Sequence, residues 1–198
     1  HGKVRQAVAK IVLASGSPRR RELLTRMGIA DFDVRVPETE ETYPSNLSPR
    51  ETVEYISREK ARAAAALCRP DEIVITADTM VFLDGARLGK PRDEADALRM
   101  LTELSGRRHT VCTGVTVRQG QRSLTRAQST DVYFRPASEW ELRAYIRGGE
   151  PMDKAGAYGV QGQGALLVER IDGDFFNVMG LPVLLLSRML AEFGVTLL

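Results

Sequence analysis

Apolar and polar positions change period repeatedly along the chain, from short unbroken β-branched runs to stripes spaced by three and four. Lys10-Ile11-Val12-Leu13-Ala14 reads as a buried strand. Ser17 then offers an N-cap oxygen, Pro18 suits the first helical position, Leu23, Leu24 and Met27 form an apolar face, and Gly28 supplies a stop. A short strand is predicted over 33–36 and an acidic loop over 37–44. Ser48 and Glu51 have capping-box spacing, so a second helix is predicted from Ser48 to about Leu67. Ile73 to Thr76 is another buried-strand run, with Asp78 placed at its end and a hairpin turn at Asp84-Gly85. A helix follows from Asp93 to Leu104 and ends at Gly106, then strand patterns over 110–117 and 124–134. Ser138 and Glu141 repeat the capping-box spacing before a helix that stops at Gly148-Gly149. A glycine-rich segment over 156–164 precedes a strand over 165–171, and Pro182 opens a closing helix. Alternating strand and helix signals in the first half predict an α/β fold. No repeat, low-complexity tract or linker interrupts the pattern, so one domain is expected over 1–198, with residues 1–9 as an N-terminal extension or tag remnant.

Composition narrows the function classes. Twenty-eight basic residues against twenty-six acidic ones leave a formal charge of +2, too balanced for bulk coating of nucleic acid. Stable nucleic-acid binding is therefore not expected, and basic clusters must be read as local sites. The two cysteines, Cys68 and Cys112, lie far apart without metal-ligand spacing, and such sparse use fits the reducing cytosol. No apolar stretch approaches membrane-spanning length and no signal-peptide core is evident, so a cytoplasmic protein without a membrane partner is expected.

Candidate chemistry concentrates in three places. In Ser15-Gly16-Ser17-Pro18-Arg19-Arg20-Arg21 a predicted helix begins with three arginines, where acids are preferred against the helix dipole. Such a turn suits an anion, with a solvated basic cap paired to acidic neighbours as the alternative. Lys60 falls within the stripe Val53, Ile56, Ala63, Ala64, Leu67, so it either snorkels to the edge or reaches inward. Asp78 interrupts an apolar run that resumes at Thr79-Met80-Val81-Phe82. A turn is disfavoured there, and a carboxylate in such a run needs a metal or a cation, for which Lys90 is one candidate. Trp140 and Tyr145 read as packing residues of their helix, and His109 has no histidine partner for a metal centre. The glycines of 156–162 permit close backbone approach to a ligand, and the Gln161 amide can both donate to and accept from a base edge.

These segments, together with Arg58-Glu59-Lys60-Ala61, Gly89-Lys90-Pro91-Arg92-Asp93, Leu104-Ser105-Gly106, Asp153-Lys154-Ala155-Gly156 and Asn177-Val178-Met179-Gly180-Leu181-Pro182, resemble the Maf family of nucleoside triphosphate pyrophosphatases over nearly the whole chain. The resemblance implies a twisted mixed sheet flanked by helices, two lobes and a central cleft. It implies hydrolysis of dTTP and UTP between the α- and β-phosphates with a divalent cation, Mg2+ or Mn2+. In that pattern Asp78 is the general base or metal-holding carboxylate, Lys60 and Lys90 complete the catalytic set, and Ser15, Arg19 and Arg20 join them around the triphosphate. Glu40 assists with the metal, Glu41 or Glu38 being the alternatives in a loop that aligns less securely. Arg19, Thr79 and Gln161 fall where the family selects its base, and the pattern allows a homodimer. Two rivals stand beside this reading. One is the same reaction on methylated guanosine or inosine triphosphate. The other is a division-linked protein that uses the Arg19 to Arg21 surface to bind nucleic acid or a partner.

Overall fold

The run Ile11-Val12-Leu13 is buried at every position and forms the strand β1 (Ile11–Leu13), as a strand covered on both faces must. The computed structural model describes residues 9–198, so the expected extension lies, save Ala9, outside the described residues. β1 leads into α1 (Pro18–Arg26) and β2 (Phe32–Val34), and α2 (Pro49–Ala65) precedes the long strand β3 (Ile73–Leu83). β4 (Ala86–Leu88) returns as a hairpin, followed by α3 (Glu94–Leu104), β5 (Arg108–Gln119), β6 (Arg122–Phe134) and α4 (Glu139–Arg147). Short 3-10 turns between Glu150 and Leu167 lead to β7 (Val168–Asp172), α5 (Phe175–Met179) and α6 (Val183–Ala191).

The local signals act as their chemistry predicts. Ser48 with Glu51 and Ser138 with Glu141 close complete capping boxes, each cap being worth about 1 kcal/mol. Ser17 accepts the Arg20 amide at the start of α1, and Asp93 accepts the Asp96 amide at the start of α3. Asp84 and Gly85 both have positive φ, +51° and +79°, as a two-residue hairpin loop of this hand requires. Some boundaries differ from the sequence expectation. β2 spans Phe32–Val34, and α2 stops at Ala65, which leaves Leu67 49% exposed. β7 starts only at Val168, because the amides of Gln163 and Gly164 turn back to the Glu150 carboxylate and wind this stretch into a 3-10 turn. α5 was not foreseen, since a single turn is too short to show a period. Trp140 is 74% exposed and so packs little, whereas Tyr145 is buried.

The strands make one mixed seven-stranded sheet in the order β2-β1-β3-β5-β6-β7, with β4 on β3. β1 runs parallel to β2 and β3, and the remaining pairs are antiparallel. Along β3, Ile73, Ile75, Ala77, Val81 and Leu83 face the larger core with residues of α1, α3, α4 and α6. Met80 and Phe82 face the other way, and with Cys112 and Ala127 they bury Val53 and Ile56 of α2.

Asp78 is not at the end of its strand, contrary to the sequence expectation. β3 runs on to Leu83 because β5 pairs with it from Ile73 to Phe82. What ends is its neighbour. On the opposite edge β1 covers only Ile73 to Ile75 and β4 only Val81 to Leu83, leaving Thr76 to Met80 without a strand. The break lies beyond the carboxyl end of a parallel strand, where ligands gather in open α/β sheets.

His109 is a pH-sensitive group of the buried core that lies away from this break. His109 is 2% exposed, its Nε2 lies 2.7 Å from the Tyr158 hydroxyl, and its ring meets Phe134 edge-on. Burial lowers its pKa from 6.5 to about 4. The unfolded chain therefore takes up this proton first, and stability falls as the pH drops from 6.5 to about 4. Urea midpoints measured across that window should fall more steeply for the native protein than for His109→Gln, which has no ring to titrate.

Candidate active site

Gly114 stands opposite Asp78 in the β3–β5 register. A Cβ on Gly114 would lie 2.2 Å from the Val53 carbonyl oxygen and 2.8 Å from the Glu54 nitrogen, so the backbone of α2 rests directly on the sheet here. That approach brings Lys60 within reach of the break. Its Nζ donates to Asp78 Oδ1 at 3.2 Å and to the Ala77 carbonyl at 3.4 Å, and lies 3.2 Å from Glu41 Oε1. Lys60 thus reaches inward, with one ammonium between two carboxylates.

Asp78 is the anomaly of the site. Its side chain is 7% exposed, and Oδ2 is buried without a hydrogen-bond partner. Burial raises its pKa, the Lys60 charge opposes the rise, and the Glu41 charge adds to it. An orphaned buried carboxylate oxygen is costly unless a ligand meets it.

On the neighbouring position of β3, Thr79 points to the opposite face and joins a second cluster. Arg20 donates from Nε to the Gly180 carbonyl at 2.8 Å, from Nη1 to Ser15 Oγ at 3.3 Å and from Nη2 to Thr79 Oγ1 at 3.1 Å. Thr79 Oγ1 also lies 2.8 Å from Thr113 Oγ1. Arg20 spends three of the five guanidinium N–H groups on this frame. Burial presses its pKa downward and the Asp78 charge opposes that. No acidic residue sits in the first turn of α1 to compensate the arginines.

The break opens into a cleft of about 940 Å3. Ser15, Arg19, Arg20, Lys60, Asp78, Thr79, Lys90 and Gln161 all line it, so eight of the nine residues singled out by sequence converge there. The ninth, Glu40, does not line the cleft; its neighbour Glu41 does and carries the contact to Lys60. The turn after β1 forms one wall. The β4 hairpin forms the other, tied to the glycine-rich segment by the Gly156 amide on the Gly89 carbonyl at 3.1 Å.

The family model described as "Maf-like protein" matches residues 10–193, nearly the whole chain. The chain belongs to the Maf family. Among Maf relatives, the dTTP/UTP pyrophosphatase of Bacillus velezensis is 50% identical over 186 residues, covering 94% of this chain and 97% of that protein. The protein of the same name from Vibrio cholerae is 48% identical over 94% of this chain and 99% of its own length. In three dimensions, the solved structure of a HAM1 protein from Coxiella burnetii aligns with a TM-score of 0.50 over 93% of this chain and 99% of that one. At 15% identity, it shares the fold.

Sequence reasoning missed several residues of this Maf cleft. Arg87, on β4, lines it and hydrogen-bonds the Tyr43 hydroxyl of the acidic loop. Lys154 also lines it and donates to the Glu150 carbonyl at 3.1 Å and to Asp153 at 2.9 Å. The adjacent acid–base pair Asp153-Lys154 before the glycines was the available signal. The Gly180 carbonyl had none, because its role depends on where loops cross in space, and Glu41 was named only as an alternative to Glu40.

The close approach at Gly114 makes a specific prediction. Gly114→Ala should lower stability by about 1–3 kcal/mol, the usual cost of overpacking. It should also cut turnover by lifting α2, and with it Lys60, from Asp78. Thermal melts and steady-state kinetics of the purified variant would read the two effects together.

Proposed function

We propose that this chain is a nucleoside triphosphate pyrophosphatase that hydrolyses dTTP and UTP to the monophosphate and pyrophosphate. The observation that carries the reading is Asp78 Oδ2, an unpaired carboxylate oxygen in a sheet break flanked by Lys60, Arg19, Arg20 and Lys90. The names borne by relatives of half-identical sequence support the choice of bases.

In this reading water attacks the α-phosphorus, the bond from that phosphorus to the bridging oxygen breaks, and pyrophosphate departs. Asp78 positions the attacking water and takes its proton. Lys60 holds Asp78 in place through Oδ1 and leaves Oδ2 free. The spare N–H groups of Arg20, with Lys90 and Arg19, stabilise charge that builds on the leaving pyrophosphate. Gln161, exposed and without a hydrogen bond among the described residues, pairs with the base, while Thr79 and Arg19 shape the pocket around it.

The residues fit a divalent cation such as Mg2+ or Mn2+. Asp78 Oδ2 is free, Glu41 is the nearby second oxygen donor, and both are hard ligands of the kind such ions take. No cluster of three or more His, Cys, Asp or Glu among the described residues could hold the ion alone, so substrate phosphates and water would complete its shell. When bound, the cation supplies Lewis-acid stabilisation of phosphate charge. The nucleic-acid reading finds less support, because Arg20 is turned inward onto Ser15, Thr79 and Gly180. No helix among the described residues is long and apolar enough to cross a membrane.

Pyrophosphate release from a panel of canonical and modified nucleoside triphosphates tests the reading. Turnover should concentrate on dTTP and UTP and drop by about 10³-fold in a folded Asp78→Asn variant, within the range for loss of a general base. Turnover centred on methylated guanosine or inosine triphosphate would overturn the base assignment, and none on any triphosphate would overturn the reaction. The acidic loop can be tested in the same assay. Glu41→Gln should weaken activation by Mg2+ about 10-fold or more, as loss of a metal-supporting carboxylate does, while Glu40→Gln should change it little. The reverse ranking would return the role to Glu40.

A further inference from the structure

The glycine-rich segment looks from its sequence like a ligand cradle, yet its glycines face a side chain of the protein. A Cβ on Gly162 would lie 2.4 Å from a Glu150 carboxylate oxygen, and one on Gly159 would lie 2.8 Å from the other and 2.7 Å from Lys154 Cε. One on Gly164 would lie 2.3 Å from the Gly159 carbonyl oxygen and 2.7 Å from the Tyr145 hydroxyl. Glu150 Oε2 accepts the Gln163 amide at 3.0 Å. Its Oε1 accepts the Gly164 amide at 3.3 Å and the Tyr145 hydroxyl at 2.9 Å. The Tyr145 oxygen in turn accepts the Gly159 amide at 3.1 Å. Gln161 therefore sits between backbone amides that are all fastened to one carboxylate–phenol pair, while its own side chain stays free.

We infer that Glu150 is the positioning residue for base recognition: with Tyr145 it holds the loop that presents Gln161 and so sets the preference among bases. The inference rests on the pyrophosphatase reading of the cleft and adds a residue to it. Glu150 lines the cleft, but both of its oxygens are engaged by loop donors, so it is not free to hold a metal or activate water. A carboxylate is required because both oxygens must accept. An amide in its place would set an NH2 group against a backbone N–H and leave a donor unpaired. The same loop is anchored to the lysine-bearing wall through the Gly156 amide on Gly89, next to Lys90. Loosening the Gln161 end should therefore cost base discrimination before it costs chemistry.

The test compares kcat and KM for dTTP, UTP, dATP and dGTP in the native protein, Glu150→Gln and Tyr145→Phe. In Glu150→Gln, KM for the preferred nucleotide should rise about 10- to 30-fold with kcat changed by less than about threefold, the size expected for a lost bond to a charged group. The preference over the purine nucleotides should shrink by a similar factor. Tyr145→Phe, which keeps the carboxylate but loses the hydroxyl, should move the same ratios less far. A folded Glu150→Gln protein with an unchanged preference, or one that loses kcat at constant KM, overturns the inference. Should Glu150→Gln fail to fold, the ratio in Tyr145→Phe decides: unchanged discrimination there overturns it equally. Native protein without turnover on any triphosphate overturns the pyrophosphatase reading and this inference with it. Native activity with unmoved ratios in the variants overturns only the inference.

Discussion

Everything at the centre of this molecule depends on how near one helix comes to the sheet. Gly114 lacks a side chain on the face where Val53 and Glu54 of α2 lie, and it stands beside Asp78 in the neighbouring strand. Without that contact Lys60 would stand a side-chain layer further away, and the carboxylate would be buried with no cation to offset it. Burial and Lys60 act on Asp78 in opposite directions, and burial prevails, leaving it more basic than a free aspartate. The price is an oxygen with no partner inside the protein, a pattern common at functional sites.

The second constraint is the gap in the sheet edge. Because β1 ends at Leu13, opposite Ile75, and the antiparallel β4 ends at Leu88, opposite Val81, β3 is bare on that side between Thr76 and Met80. Successive side chains of a strand point to opposite faces. Here the bare edge lets Asp78 from one face and Thr79 from the other open into the same cleft. A helix-side cation, Lys60, and a core-side cation, Arg20, thus reach the one cleft from both faces. The arginines at the start of α1 work against the helix dipole, a local cost that is understandable where a polyphosphate supplies the missing negative charge.

The glycine-rich segment shows how similar residues can serve a different physical purpose from the one their composition suggests. Gly162 clears space for Glu150, and Gly159 for Glu150 and the Lys154 stem, while the Glu150 carboxylate and the Tyr145 hydroxyl gather the loop's amides. The close backbone approach that glycine permits is real, and its object is an internal carboxylate. Membership of the Maf family and the convergence of the motif residues on one cleft agree with each other, although each comes from a different source.

Much of the scaffold was legible because its signals are local. Capping boxes at Ser48 and Ser138, the Asp84-Gly85 turn, and the apolar runs of β1 and β3 depend on residues within a few positions of one another. The chemistry-bearing residues stood out for the same reason, being charges where the local pattern disfavours them: Lys60 in an apolar stripe, Asp78 in a strand, arginines at a helix start. Pairings between distant segments were not legible. That Glu41 and not Glu40 meets Lys60, that Asp78 lies mid-strand beside a missing neighbour, and that Glu150 fills the hollow left by Gly159 and Gly162 all depend on chain crossings. A sequence specifies which side chains seek partners, because propensity and burial act locally. Which partner each one meets is decided by the packing of helices and strands brought together only in the folded chain.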